Sequence, residues 1–221
     1  MIVNTEKKYS PKSLNEFIFP NEEARELITA YASGDIQRPL ILHGSSGTGK
    51  SLLQRLIPQA IERKEVQVNK VICSDLELPS DIHDLYGRNK HFNNVFTVNG
   101  QRYNYFIIEE FYMKSIRLSD ALKIELDASL GIDLTIFSTN RFELIDGGVL
   151  SRSETLEVQP CTPSIFFPHA KNIMQAEDID ISDHDLQVKL NAIYAVYKDN
   201  RKYYSMMDAL IRKERTQCLT T

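Results

Sequence analysis

No stretch of the 221-residue sequence approaches the ~18 consecutive apolar residues that a membrane-crossing helix requires, and the N-terminus, MIVNTEKKYS, lacks the apolar core of a secretory signal. A soluble, cytoplasmic protein without a membrane partner is expected. Cysteine is scarce: Cys73, Cys161 and Cys218 form no C-x-x-C pair and cannot all be disulfide-bonded, which fits a reducing compartment and makes a zinc site unexpected. Basic charge is not in excess. With 26 Lys plus Arg against 30 Asp plus Glu, the net charge of -4 excludes a surface coated in positive charge and leaves room only for a local basic patch. Internal repeats and low-complexity segments are absent. What is present is ordinary for a folded protein: 42% apolar and 25% charged residues can build a sizeable core, and the length suits one domain or a domain with a small appendage.

Hydrophobic spacing orders the chain into alternating elements. Ala24, Leu27, Ile28 and Tyr31 share one helical face, with Asn21 as N-cap and Gly34 as stop. Pro39 to His43 is a short apolar run leading into Gly44, as a buried parallel strand feeding a loop would, and a helix is expected to start near Lys50. Val66–Ile72, Tyr105–Ile108 and Leu134–Phe137 read as strands. Leu118, Ala121, Leu122 and Leu126 define a helix before the last of these. Asn99-Gly100 reads as a hairpin turn joining Val95–Val98 to the strand from Tyr103. Beyond about Cys161 the strand-like runs stop. Ser182-x-x-Asp185 caps a helix carrying Leu186, Leu190 and Ile193, and Asp199–Arg212 reads as another, followed by a solvated tail at Arg212–Arg215. Strands alternating with helices imply a parallel α/β sheet. The expected division is an α/β core over residues 1–160 and a small helical lid over 161–221.

The strongest signal is Gly44-Ser45-Ser46-Gly47-Thr48-Gly49-Lys50-Ser51, which satisfies G-x-x-x-x-G-K-[ST] at every fixed position, after a strand and before a helix. Its glycines let the backbone turn N–H groups toward phosphate oxygens. Lys50 is placed to neutralise β- and γ-phosphate charge, and Ser51 to offer a hydroxyl to Mg²⁺. A second element, Tyr105-Phe106-Ile107-Ile108-Glu109-Glu110, delivers two carboxylates at the C-terminal end of a buried strand, where open α/β sheets bind ligands. Glu109 is expected at the metal, directly or through a water, and Glu110 at the attacking water.

With these residues the chain resembles an AAA+ ATPase, and specifically the small subunits of sliding-clamp loaders of the replication factor C type. Lys8-Tyr9-Ser10-Pro11-Lys12-Ser13-Leu14-Asn15-Glu16-Phe17 is similar to that family's K-Y-R-P-K-x-L-x-[ED] box, with Ser10 in place of the usual Arg; the resemblance implies that Tyr9 and Pro11 help enclose adenine. Thr135-Ile136-Phe137-Ser138-Thr139-Asn140 resembles the sensor-1 strand and implies that Asn140 contacts the γ-phosphate or the lytic water. Leu150-Ser151-Arg152-Ser153 resembles the S-R-C motif, Ser153 replacing Cys, and makes Arg152 the candidate arginine finger toward a neighbouring subunit's ATP. Lys198-Asp199-Asn200-Arg201 resembles the sensor-2 box G-D-x-R without its Gly, and implies that Arg201 reaches the phosphates.

The resemblance runs from about Lys8 to Ile211 and implies a P-loop NTPase fold, ATP and Mg²⁺ as ligands, and work as a homo- or hetero-oligomer in DNA replication or a related DNA transaction. It departs from the family at Glu109, where Asp is usual. Only 20 residues follow Arg201, fewer than a clamp loader's collar, so assembly through another surface or a partner is expected. Lys114, Arg117 and Lys123 are the candidate DNA contacts; a sliding clamp or a helicase is the candidate protein partner. The same motor could serve a helicase loader or initiator, or a transposition or defence ATPase. A non-hydrolysing ATP-gated scaffold and a small-molecule kinase are the alternatives from other classes, although sensor and trans-arginine residues have no role in a monomeric kinase.

Overall fold

The computed structural model describes residues 4–87, 100–113 and 115–218, the side chains of residues 217 and 218 excepted. The chain forms two compact units, one made of Asn21–Gly44 and Lys50–Val158, the other of the segment ending at Pro20, Ser45–Gly49 and the segment from Gln159 onward. Residues 95–99 of the expected hairpin lie outside the described residues.

The first unit is a parallel sheet: β1 (Leu40–His43), β2 (Val68–Ile72), β3 (Asn104–Glu109), β4 (Asp133–Thr139) and β5 (Glu154–Glu157), in the order β2-β3-β4-β1-β5. Leu40, Ile41 and Leu42 have no exposed surface, as a central strand covered on both faces requires. One face carries Ile41, Phe106, Ile108 and Phe137. It packs against Ile82 and Tyr86 of helix α4 (Pro79–Gly87) and Leu118, Ala121, Leu122 and Leu126 of α5 (Ile116–Ala128). Each buried Ile, Leu or Phe side chain among them contributes about 1.5–3 kcal/mol by leaving water. On the other face lies α3 (Lys50–Glu62): Tyr105 donates its hydroxyl to Glu62 at 2.7 Å, and the buried Gln54 amide donates to the carbonyls of Ile108 and Ile136, at 3.4 and 2.9 Å. The helix α2 (Glu22–Ser33) begins at Asn21, whose side chain accepts from the Ala24 N–H at 2.8 Å, and ends at Gly34 in the left-handed conformation. β5 was not expected. Its sequence, ETLE, is short and half acidic, and it is a strand because it pairs with β1 at the sheet's edge. Register pairs His43 with Thr139 and Ile108 with Phe137, so β1, β4 and β3 end together at one rim.

The second unit is helical: α1 (Thr5–Lys8), α7 (Pro163–Ala176), α8 (Asp183–Tyr197) and α9 (Asn200–Cys218), α6 being the short Gly147–Leu150 turn of the first unit. Phe166, Ala170, Ile173, Leu186, Leu190, Tyr203, Met207 and Ile211 form its core, with Phe166 stacked on Tyr203 at 4.5 Å. Thr5 ties α1 to α9, its N–H donating to Asp208 at 2.9 Å and its hydroxyl to the Tyr204 carbonyl at 3.2 Å. The expected solvated tail is instead helix: α9 continues past Arg212, and Arg215 donates to Glu177 at 2.8 Å.

Candidate functional site

The glycine-rich loop adopts a backbone that only glycine accepts cheaply. Gly44, Gly47 and Gly49 have φ of 126°, 75° and 105°. A Cβ at Gly44 would stand 2.8 Å from the Val158 carbonyl oxygen. Lys50, the first residue of α3, is 8% exposed, and its ammonium donates to the Gly44 carbonyl at 2.9 Å. Ser51 is exposed on the first turn of α3.

Residues 45–49 group with the helical unit. There the N-terminus of α9 meets them: Asn200 Nδ2 donates to the Thr48 carbonyl at 3.5 Å, and the Asp199 carboxylate lies against Gly47, where any side chain would collide with it. Phe17 packs its ring edge beside Gly49, with Phe19 edge-on at 4.9 Å. Arg201 follows directly. It is exposed, and its Nε stands 3.6 Å from Glu6. Tyr9 donates its hydroxyl to Glu177 at 2.8 Å, and burial, followed by that bond, raises its pKa above the ordinary phenol value. Pro11 is buried.

In the sheet unit the acidic pair splits in behaviour. Glu109 is engaged: Lys70 of β2 donates to its Oε2 at 2.9 Å. Glu110 is exposed and makes no hydrogen bond or ion pair among the described residues; its φ is 52°, a left-handed conformation uncommon for a residue with a side chain. The kink is fixed on its far side, where the Phe111 N–H donates to the Ser138 carbonyl at 2.8 Å. Asn140 is exposed just past β4, and the buried Thr139 hydroxyl beneath it accepts from the Arg141 N–H at 2.9 Å. Register thus places Gly44, Asn140 and the acidic pair on one rim of the sheet. His43 closes β1 stacked on Phe142 at 3.9 Å, and burial lowers its pKa.

Arg152 is not joined to that rim by any contact among the described residues. It makes a two-point ion pair with Asp127 at 2.7 and 2.8 Å. Of the candidate DNA contacts, Arg117 is exposed on α5, Lys123 turns its ammonium to Asp120 at 2.8 Å and Asp146 at 3.5 Å, and Lys114 lies outside the described residues. Lys70, Asp127 and Glu177 are not singled out by the sequence, and Phe17 only as the end of the Lys8–Phe17 box. Lys70 alone left a signal, being on the alternate residues of β2 that face the same side as Glu109.

These residues fit a polyphosphate. A glycine loop whose closest approaches leave no room for a Cβ, together with a buried lysine ammonium, is suited to cradle an anion. The oxygen-only donors Ser51 and Glu109 suit Mg²⁺ held jointly with phosphate. Among the described residues no group of three or more His, Cys, Asp or Glu is arranged for a metal by itself.

No family model matches the chain. Over 203 residues it is 23% identical to the DNA polymerase III subunit gamma/tau of Mycoplasma genitalium, a match that covers 83% of this chain and 33% of that protein, so the chain spans about a third of its curated relative. The RuvB Holliday junction branch migration motor of Thermotoga maritima superposes on 91% of this chain and 72% of its own with a TM-score of 0.60, at 17% identity. A single-substitution variant of RuvB gives 0.62 over 93% and 73%, at 18% identity. The fold is the AAA+ P-loop fold. In sequence and fold the chain resembles AAA+ ATPases, and the sheet flanked by helices with a helical C-terminal region is the one expected. No described helix of this chain is long and apolar enough to cross a membrane.

Proposed function

We propose that this chain is an ATP-binding and ATP-hydrolysing AAA+ ATPase of clamp-loader type, working as an oligomer in DNA replication or a related DNA transaction. The observation that carries the reading is the Gly44–Ser51 loop with its buried Lys50, set on the strand whose end is level with those of β3 and β4. The sequence relative in DNA polymerase III and the structural likeness to a branch migration motor support a DNA role.

In this reading the loop N–H groups and Lys50 hold the phosphates, while Tyr9 and Pro11 border the adenine. Ser51 and Glu109 would hold Mg²⁺, which when bound would neutralise phosphate charge. Glu110 orients and polarises the attacking water. A carboxylate with no side-chain partner among the described residues, kept in a strained backbone, is suited to that task. Asn140 and Arg201 contact the γ-phosphate, and Arg152 acts on a neighbouring subunit's ATP. DNA contact falls to Arg117 and Lys114 rather than Lys123, whose charge is already matched by two carboxylates. A clamp or a helicase is the protein partner.

Glu110→Gln tests the assignment. ATP affinity is expected to hold while turnover falls at least a hundredfold; unchanged turnover rejects Glu110. A second reading, the ATP-gated scaffold without hydrolysis, draws on the Lys70–Glu109 pair, and a wild-type chain that binds ATP and assembles without releasing phosphate would identify it.

A further inference from the structure

Arg152 is held from both its backbone and its side chain. Its N–H donates to the Val149 carbonyl at 3.2 Å, the neighbouring Ser153 hydroxyl to the same carbonyl at 3.0 Å, and Arg38 fastens the preceding residue by donating to the Ser151 carbonyl at 2.5 Å. The guanidinium is then fixed at three points: Nε and Nη2 donate to the two carboxylate oxygens of Asp127 at 2.7 and 2.8 Å, and Nη1 donates to the Gly148 carbonyl at 2.8 Å. A guanidinium has five N–H groups, so two remain without a partner among the described residues, on a side chain that is 34% exposed.

Asp127, near the end of α5, is itself 58% exposed. An ion pair so open to water adds little to stability and is too weak to lock Arg152 away. What it does supply is direction. An arginine held by a planar two-point bond has already given up the torsional freedom that a loose one surrenders on meeting an anion, and two of its N–H groups are left to donate. The carboxylate remains charged throughout the neutral range, since the Arg152 guanidinium beside it holds its pKa below the usual value.

We propose that Asp127 is the positioning residue for Arg152, presenting a preformed guanidinium to the phosphate oxygens of a nucleotide carried by a neighbouring subunit. This rests on the reading of Arg152 as the trans-acting arginine. Asp127 touches no substrate; it acts through Arg152.

The test compares Asp127→Ala, Asp127→Glu and Arg152→Ala in steady-state ATP hydrolysis, alongside ATP affinity measured with a fluorescent nucleotide and thermal melting. An ion pair this exposed can bias the guanidinium by only a few-fold. Asp127→Ala is therefore expected to reduce kcat about two- to fivefold while leaving ATP affinity and Tm unchanged, with Asp127→Glu recovering most of the loss. Wild-type kcat in Asp127→Ala beside a strongly reduced Arg152→Ala overturns the positioning role alone. So does a fall in Tm that accounts for the lost rate. Full turnover in Arg152→Ala, or none in the wild-type chain, rejects the underlying reading and this inference with it.

Discussion

Lys70 reaches across from β2 to bond Glu109 at the end of β3, Nζ to Oε2 at 2.9 Å. Adjacent strands lie about 4.8 Å apart, and β4 stands between β3 and the strand that carries the phosphate loop. Lys70 therefore draws the carboxylate toward the sheet's outer edge, away from the side of Ser51. If Glu109 is a metal ligand, Lys70 competes for it. Lys70→Met is expected to lower the Mg²⁺ concentration that half-saturates nucleotide binding by about two- to fivefold, a modest factor because the pair is half exposed. A Mg²⁺ titration of fluorescent nucleotide binding reads this directly; an unchanged or weaker midpoint would speak against it.

Lys198 closes α8 as its C-cap in a conformation that glycine prefers, with φ of 47° and ψ of 43°. Lys198→Gly should relieve this strain and stabilise the chain by about 0.5–1 kcal/mol, seen as a higher denaturation midpoint. A lower midpoint would show that the lysine side chain matters more than the backbone.

Gly44 presents the opposite case, since its φ of 126° and the Val158 carbonyl leave no space for a methyl group. Gly44→Ala is expected to destabilise by about 1–3 kcal/mol and to abolish nucleotide binding. Calorimetry with and without nucleotide checks both parts.

Glu177 gathers three donors: Lys8 at 2.6 Å and Tyr9 at 2.8 Å on one oxygen, Arg215 at 2.8 Å on the other, around a side chain that is 6% exposed. Lys8 is the main cause that holds its carboxyl below the ordinary 4.5. A carboxylate whose native pKa is depressed contributes fully above its unfolded pKa and loses that contribution as pH falls through the native one. Glu177→Gln is thus expected to lower Tm by a few degrees at pH 7 and to converge with the wild type as pH falls below 4.5 and through the depressed native pKa. Parallel melts across that range would contradict it.

Much of the sheet was legible because its information is local. Leu40–Leu42 are consecutive apolar residues and read as a buried strand, and Asn21 and Gly34 marked both ends of α2 by their own side-chain and backbone chemistry. β3 and β4 extend beyond their apolar centres, to Asn104 and Glu109 and to Asp133 and Thr139, since parallel pairing recruits polar residues that hydropathy alone stops at. β5 could not be read from ETLE. At the site, the loop and the acidic pair stand out as contiguous motifs. Their partners do not: Lys70 is 39 residues from Glu109 and Asp127 is 25 from Arg152, and only folding brings such pairs together. Arg215 likewise looks like tail chemistry until α7 places Glu177 beside it.

A shared, DNA-coupled ATPase, as proposed, is read out most directly by steady-state ATP hydrolysis measured against protein concentration with and without primed DNA. With Arg152 in the proposed trans role, the rate per subunit climbs with concentration and climbs further with DNA. A flat rate, indifferent to DNA, would contradict it.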